Sequence, residues 1–81
     1  MKATVNTKID GQYYSVGEEI HDLGNWESTE SKGNQRNYVN GASTEVSKLP
    51  HYVETGSTAM TVDTGDYYIF SKEKDEWILQ R

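Results

Sequence analysis

Short runs of alternating apolar and polar residues, broken by glycine-bearing turns, are the dominant pattern of this chain. Residues 4–9 and 12–16 flank Asp10-Gly11. An Asp-Gly pair between β-prone runs predicts a tight hairpin, because both central turn positions need positive φ. Val5, Thr7 and Ile9 would share one face of it, packed across from Tyr13, or from Tyr14 with Val16. Residues 25–30 and 35–39 flank the polar cluster Ser31-Lys32-Gly33-Asn34 and predict a second hairpin. Trp26 and Tyr38 are its main apolar anchors. Its other positions are polar, which predicts a weakly buried place at a sheet edge.

Between these hairpins, residues 17–24 read as a loop pinned by Ile20 and Leu23. After Asn40-Gly41, Ser43 can N-cap a single helical turn, and Pro50 stops it. The C-terminal third predicts two consecutive hairpins. Residues 57–63 form the first strand and Thr64-Gly65 turns the chain. Residues 66–71 place Tyr68 and Phe70 on one face and Tyr67 and Ile69 on the other. Lys72-Glu73-Lys74-Asp75 turns it again into residues 76–80, where Trp77 and Leu79 share a face. With both faces apolar, the strand through Tyr67 and Phe70 is expected to be central or covered on both sides. The expected fold is all-β: a small antiparallel meander of about six short strands, a β-sandwich or partly open barrel, with no substantial helix.

At 81 residues this is one domain, residues 1–81. So short a chain buries only about 60–65% of its unfolded surface. There are no cysteines, which removes disulfides and thiolate metal sites and makes oligomerisation or docking on a larger assembly the favoured stabiliser, with an independent monomer the alternative at this length. Aliphatic residues are sparse and tyrosines number six, so aromatic rings must supply much of the core.

Charge narrows the partners. Eight Lys and Arg stand against 13 Asp and Glu, a formal net charge of -5. Nucleic acid needs a basic footprint, and anionic membrane surfaces repel such a chain. No run approaches the ~18 apolar residues of a membrane span. The start, Met1-Lys2-Ala3-Thr4-Val5-Asn6, lacks a signal-peptide core, which predicts synthesis in the cytoplasm.

Several constellations invite a chemical reading. Asp63-Thr64-Gly65 after Val62 matches the catalytic triplet of aspartic proteases, which work with two aspartates sharing a proton. The second motif of the small retroviral-type enzymes, a hydrophobic pair followed by Gly-Arg-Asn or Gly-Arg-Asp, is missing, and a plain turn accounts for the triplet. In the cluster Glu18, Glu19, His21 and Asp22 the carboxylates offer hard oxygens for a divalent cation, but in no ligand spacing; a solvated acidic loop accounts for them. His21 and His51 are thirty residues apart. No nucleophile elbow or phosphate-binding glycine loop occurs. No catalytic, cofactor-binding or metal residue is assigned, and no enzyme is expected.

Leu49-Pro50, Gly56-Ser57, Asp63-Thr64-Gly65, Tyr68, Phe70 and Trp77 together resemble a module of tailed-bacteriophage structural proteins. The front, residues 10–20, resembles small phage and prophage reading frames of Gram-positive hosts. The resemblance covers residues 49–79 best and carries no catalytic residue. It implies a virion component made in the host cytoplasm: a head or tail accessory or decoration protein that binds phage structural proteins or its own copies. Trp26, Tyr52, Tyr67 and Trp77 are the candidate interface anchors, since Trp and Tyr dominate binding hot spots. For Trp77 core packing is the stronger expectation. The alternative is a small binding module, either a host-glycan binder using exposed aromatics or an acidic inhibitor of a host protein.

Overall fold

The computed structural model describes residues 1–33 and 35–80. Among them the chain forms seven strands and one short helix. These are β1 (Thr7–Ile9), β2 (Gln12–Tyr14), β3 (Glu27–Lys32), β4 (Gln35–Gly41), a 3-10 helix (Ser43–Lys48), β5 (Thr58–Thr61), β6 (Tyr67–Ser71) and β7 (Glu76–Gln80). The all-β expectation holds, with seven strands in place of six. They make two sheets, neither of them closed: β1-β2 alone, and a five-stranded sheet in the order β3-β4-β5-β6-β7.

The predicted Asp10-Gly11, Thr64-Gly65 and 72–75 turns are where their hairpins close, whereas Ser31 and Lys32 of the predicted 31–34 turn continue β3. Asp10 and Gly11 adopt φ of 54° and 79°, the left-handed pair that a two-residue hairpin loop requires. Thr7 faces Tyr14 across the ladder. Val5, Ile9 and Val16 are exposed, a correction to the expected packing of this hairpin: only Tyr14 turns inward. A three-residue ladder is too short to bury both of its faces. The second hairpin pairs β3 with β4 and puts β3 at a sheet edge. Asn34, part of its predicted turn, lies outside the described residues.

The meander is interrupted between β4 and β5, which pair in parallel. Parallel neighbours need a crossover of about a dozen residues or more, and residues 42–57 supply it. Its helix starts where the Glu45 carboxylate accepts the Ala42 N–H at 3.3 Å, so Ala42, not Ser43, is the N-cap. Ser43 serves the start differently, donating its N–H and hydroxyl to Asp63 at 2.9 and 2.8 Å. Leu49 leaves the helix extended, and Pro50 follows. The crossover then lays Leu49 and Val53 over one face of the large sheet.

That inner face is the core. Trp26, Tyr38, Leu49, Val53, Ala59 and Phe70 are buried together, and Leu23, Val46, Tyr52, Tyr68 and Trp77 pack around them. Trp77 stands edge-on to Tyr38 with centroids 5.8 Å apart and tilted against Phe70 at 5.2 Å, geometries that suit ring quadrupoles. Each indole finds a backbone acceptor: Trp26 Nε1 donates to Glu45 O at 2.8 Å and Trp77 Nε1 to Pro50 O at 2.9 Å. Gly41 is required for this packing, because a Cβ there would fall on the Trp26 ring. Among the described residues no buried side-chain polar atom lacks a partner.

Candidate functional site

Two places in the fold combine special residues. The first is a polar hub beneath the β1-β2 turn. The Asp10 carboxylate points away from its hairpin into the large sheet, with its side chain only 4% exposed. Tyr38 donates to its Oδ2 at 2.5 Å and Tyr52 to the same oxygen at 2.9 Å. The Ser28 hydroxyl donates to Oδ1, and Arg36 Nε lies 3.3 Å from that oxygen. A buried carboxylate is tolerated when its lone pairs are filled and a cation is near; here both conditions are met.

The hub ties four segments together: the first turn, β3, β4 and the crossover. Burial, reinforced by the hydrogen bond to Asp10, holds the Tyr38 hydroxyl far above the usual tyrosine range. Burial and the Asp10 charge do the same for Tyr52. Both hydroxyls therefore stay protonated as donors. Three hydroxyl donors and one guanidinium converge on one carboxylate, a geometry that docks the N-terminal hairpin on the large sheet.

The second place is the outer face of that sheet. Alternation along β4 to β7 sends Tyr38, Ala59, Phe70 and Trp77 inward, and the residues between them outward. Val39, Met60 and Tyr67 are 43%, 48% and 39% exposed; Ile69 and Ile78 are half-buried. Met60 faces Tyr67 and Ile69 faces Ile78 across their ladders, so the apolar side chains form one stripe crossing four strands. Thr58 and Asn37 continue it in polar form, bonded to each other at 2.8 Å. The strand through Tyr67 and Phe70 is central, as expected, yet its Tyr67 side is open, because the single crossover covers only the inner face.

The four candidate anchors separate across these faces. Tyr67 lies on the open stripe. Trp26 is inside the core, and Trp77 is half-buried against Tyr38 and Phe70. Tyr52 spends its hydroxyl on the Asp10 hub. Sequence reasoning missed Val39, Met60 and Ile78 as surface residues, and it missed Asp10 as more than a turn residue. The signal for Asp10 was an acid at a hairpin turn with Arg36 on a later strand. That signal is too common to be decisive.

The other constellations resolve into local structure. Asp63 accepts the Ser43 N–H and hydroxyl and the Thr64 N–H; the bond from the Ser43 hydroxyl, then that from its N–H, lower its pKa below the usual carboxylate range. It thus tethers the crossover to the β5-β6 turn. Glu19 pairs with the N-terminal ammonium at 2.9 Å. Glu18 accepts the Ser15 N–H, and Asp22 accepts the Gly24 N–H beside Lys48. His21 Nε2 sits 2.6 Å from Lys48 O. Among the described residues no three His, Asp or Glu side chains gather in a metal-binding group, and no helix is long and apolar enough to cross a membrane. Comparison with protein-family models, with curated proteins and with solved structures gives no match for this chain.

Proposed function

We propose that this protein is a non-catalytic assembly module, a bacteriophage head or tail accessory or decoration protein that docks on a larger structural protein through its open sheet face. The observation that carries the docking reading is the stripe Val39, Met60, Tyr67, Ile69 and Ile78, left uncovered on a domain whose other face is packed. Contiguous exposed apolar surface on a small domain marks an interaction site. The phage assignment rests on the Leu49-Pro50 to Trp77 residue series. A standard interface buries ~800 Å² per partner, and the chain exposes 5268 Å² in all, so one such contact would cover a substantial share of it.

The test is co-sedimentation with virions from a strain that carries the gene. The wild-type chain is expected to travel with the particles, and a Met60→Lys chain to remain in the supernatant with an unchanged melting curve. A wild-type chain absent from purified particles would overturn the virion reading.

One observation favours a second reading as a glycan-binding module. Tyr13 is 73% exposed and lines an open cavity of about 410 Å³ with Asn6, Thr7, Lys8, Tyr14 and Ser15. A tyrosine ring beside amide and hydroxyl groups suits a sugar. Titration with cell-wall oligosaccharides, compared between wild type and Tyr13→Ala, decides it: equal responses from the two chains would remove this site.

A further inference from the structure

The five-stranded sheet ends on two edge strands, β3 and β7, and they are guarded very differently. The β3 ladder is bulged between Glu30 and Lys32, and Glu27 and Glu30 are exposed along it. Ser28 of the same strand is tied to Asp10 of the first hairpin turn. A bulge, edge charges and a neighbouring segment are common means of blocking strand addition. The register of β7 with β6, by contrast, is unbroken from Glu76 to Gln80. Its centre is the uncharged run Trp77-Ile78-Leu79, with Glu76 at one end. From this contrast we infer that β7 is a strand-addition edge whose occupant is β7 of a second copy of this chain, antiparallel, in a two-fold dimer that joins the two large sheets into one. This surface differs from the docking face proposed above and the inference does not rest on that reading.

Backbone bonding fixes which groups of β7 are free. Phe70 donates its N–H to Ser57 O at 2.8 Å, and its own O accepts the Gly56 N–H at 3.1 Å. Asp66 O likewise accepts the Thr61 N–H at 2.9 Å. Asp66, Tyr68 and Phe70 therefore aim their backbone groups at β5, and by alternation Tyr67, Ile69 and Ser71 aim theirs at β7. Their ladder partners there are Gln80, Ile78 and Glu76. The N–H and C=O groups of Trp77 and Leu79 are left pointing out of the sheet along its edge, and among the described residues no hydrogen bond answers them.

The same groups select the occupant. An antiparallel copy centred on Ile78 sets Trp77 of each chain against Leu79 of the other, so every one of these free N–H groups meets a free C=O. Ile78 then faces Ile78 across the two-fold axis at a non-hydrogen-bonded position, where Cα atoms lie about 4.5 Å apart. The side chain is half-buried in one copy, and the cross-strand pair removes more of it from water. Like charges stay apart, because Glu76 lies opposite Gln80 of the other copy. The edge left at each end of the joined sheet is β3, the guarded one, so addition closes at two copies. A contact along a five-residue strand is short beside a standard interface. The dimer should therefore come apart on dilution, and salt should favour it by screening the formal net charge of -5 on each copy.

The experiment is disulfide trapping on the full chain, which has no cysteine of its own. Oxidised Ile78→Cys is expected to run as a covalent dimer, since an axis pair about 4.5 Å apart at Cα is within disulfide reach. Glu76→Cys or Gln80→Cys alone should remain monomeric on a non-reducing gel, and the two mixed should cross-link to each other. Light scattering of the wild-type chain should show a dimer that dissociates on dilution. Leu79→Pro should weaken it roughly thirtyfold, because half of the new hydrogen bonds lose their donor while none within the copy does. If that chain fails to fold, the trapping result decides alone. Met60→Lys should leave the dimer intact. A wild-type chain monomeric up to about 1 mM, or Glu76→Cys trapping itself as readily as Ile78→Cys, would overturn the inference and leave the docking reading standing. A dimer lost in Met60→Lys and kept in Leu79→Pro would also overturn it, by placing the second copy on the outer face.

Discussion

The two faces of the five-stranded sheet are made by the same strands, one residue apart, and they meet opposite fates. Inward, Phe70 and Ala59 are buried with Tyr38 beneath Leu49 and Val53. Outward, Ile69, Met60 and Val39 are about as apolar and lie half-buried or exposed. Side-chain hydrophobicity does not separate the two sets. What separates them is the one crossover of the chain, residues 42–57, which can cover only one side. Burial here is decided by which face the connection crosses. The uncovered face is left available for a partner.

The comparison is most sharply tested on one strand. Phe70→Ala should cost about 4 kcal/mol, the usual loss for a buried aromatic. Ile69→Ala, its neighbour on the opposite face, should cost roughly 1 kcal/mol, since only part of its area is removed from water. Urea denaturation measures both. Equal losses would mean that the outer face is covered in solution.

The inner side also depends on its polar pin. Asp10→Asn keeps a residue suited to positive φ but removes the charge that faces Arg36, and should cost about 3 kcal/mol. For a domain of this size that is a fall of roughly 12–24 °C in Tm, readable by circular dichroism. A much smaller loss would mean that the hairpin contributes little to the fold of the large sheet.

Alkaline pH addresses the same pin without mutation. Tyr38 and Tyr52 have raised pKa values in the folded chain. Above the ordinary tyrosine value of about 10, the unfolded chain therefore binds fewer protons than the native one. Stability from these groups is intact below that pH and declines as pH rises beyond it. Urea midpoints measured from neutral pH to above pH 10 should show the decline, and Tyr52→Phe should make it shallower. Identical slopes would remove Tyr52 from the linkage.

The smallest effect on stability belongs to the outer face. Met60→Lys should change it by no more than about 0.5 kcal/mol, as exposed substitutions do, while abolishing docking. A large loss of stability would show that Met60 is structural and would break the contrast between the faces.

Much of the local structure was legible in residue pattern. Asp10-Gly11, Thr64-Gly65 and the charged 72–75 turn define hairpins because turn conformations are set by a few adjacent residues. The alternation of Tyr67, Tyr68, Ile69 and Phe70 assigned faces correctly, because side chains on a strand alternate with period two. The parallel pairing of β4 with β5 was not legible. Asn40-Gly41 and Gly56-Ser57 announce turns, but a turn signal does not state which strand the chain will join next. The role of Asp10 was hidden as well, since its three donors come from positions 28, 38 and 52 and its cation from position 36.

By itself, then, the sequence determined the all-β class, the hairpin turns, the aromatic core and an acidic surface lacking cysteine. These follow from local conformational preference and composition, which act over a few residues or over the whole chain without regard to topology. Tertiary structure alone decided that β5 lies parallel to β4, that the crossover covers the Phe70 face and leaves the Met60 face open, and that Asp10 becomes the pin between the two sheets. Each of these depends on which distant segments are brought together, and that is settled by three-dimensional packing and by the need to satisfy every buried polar group at once.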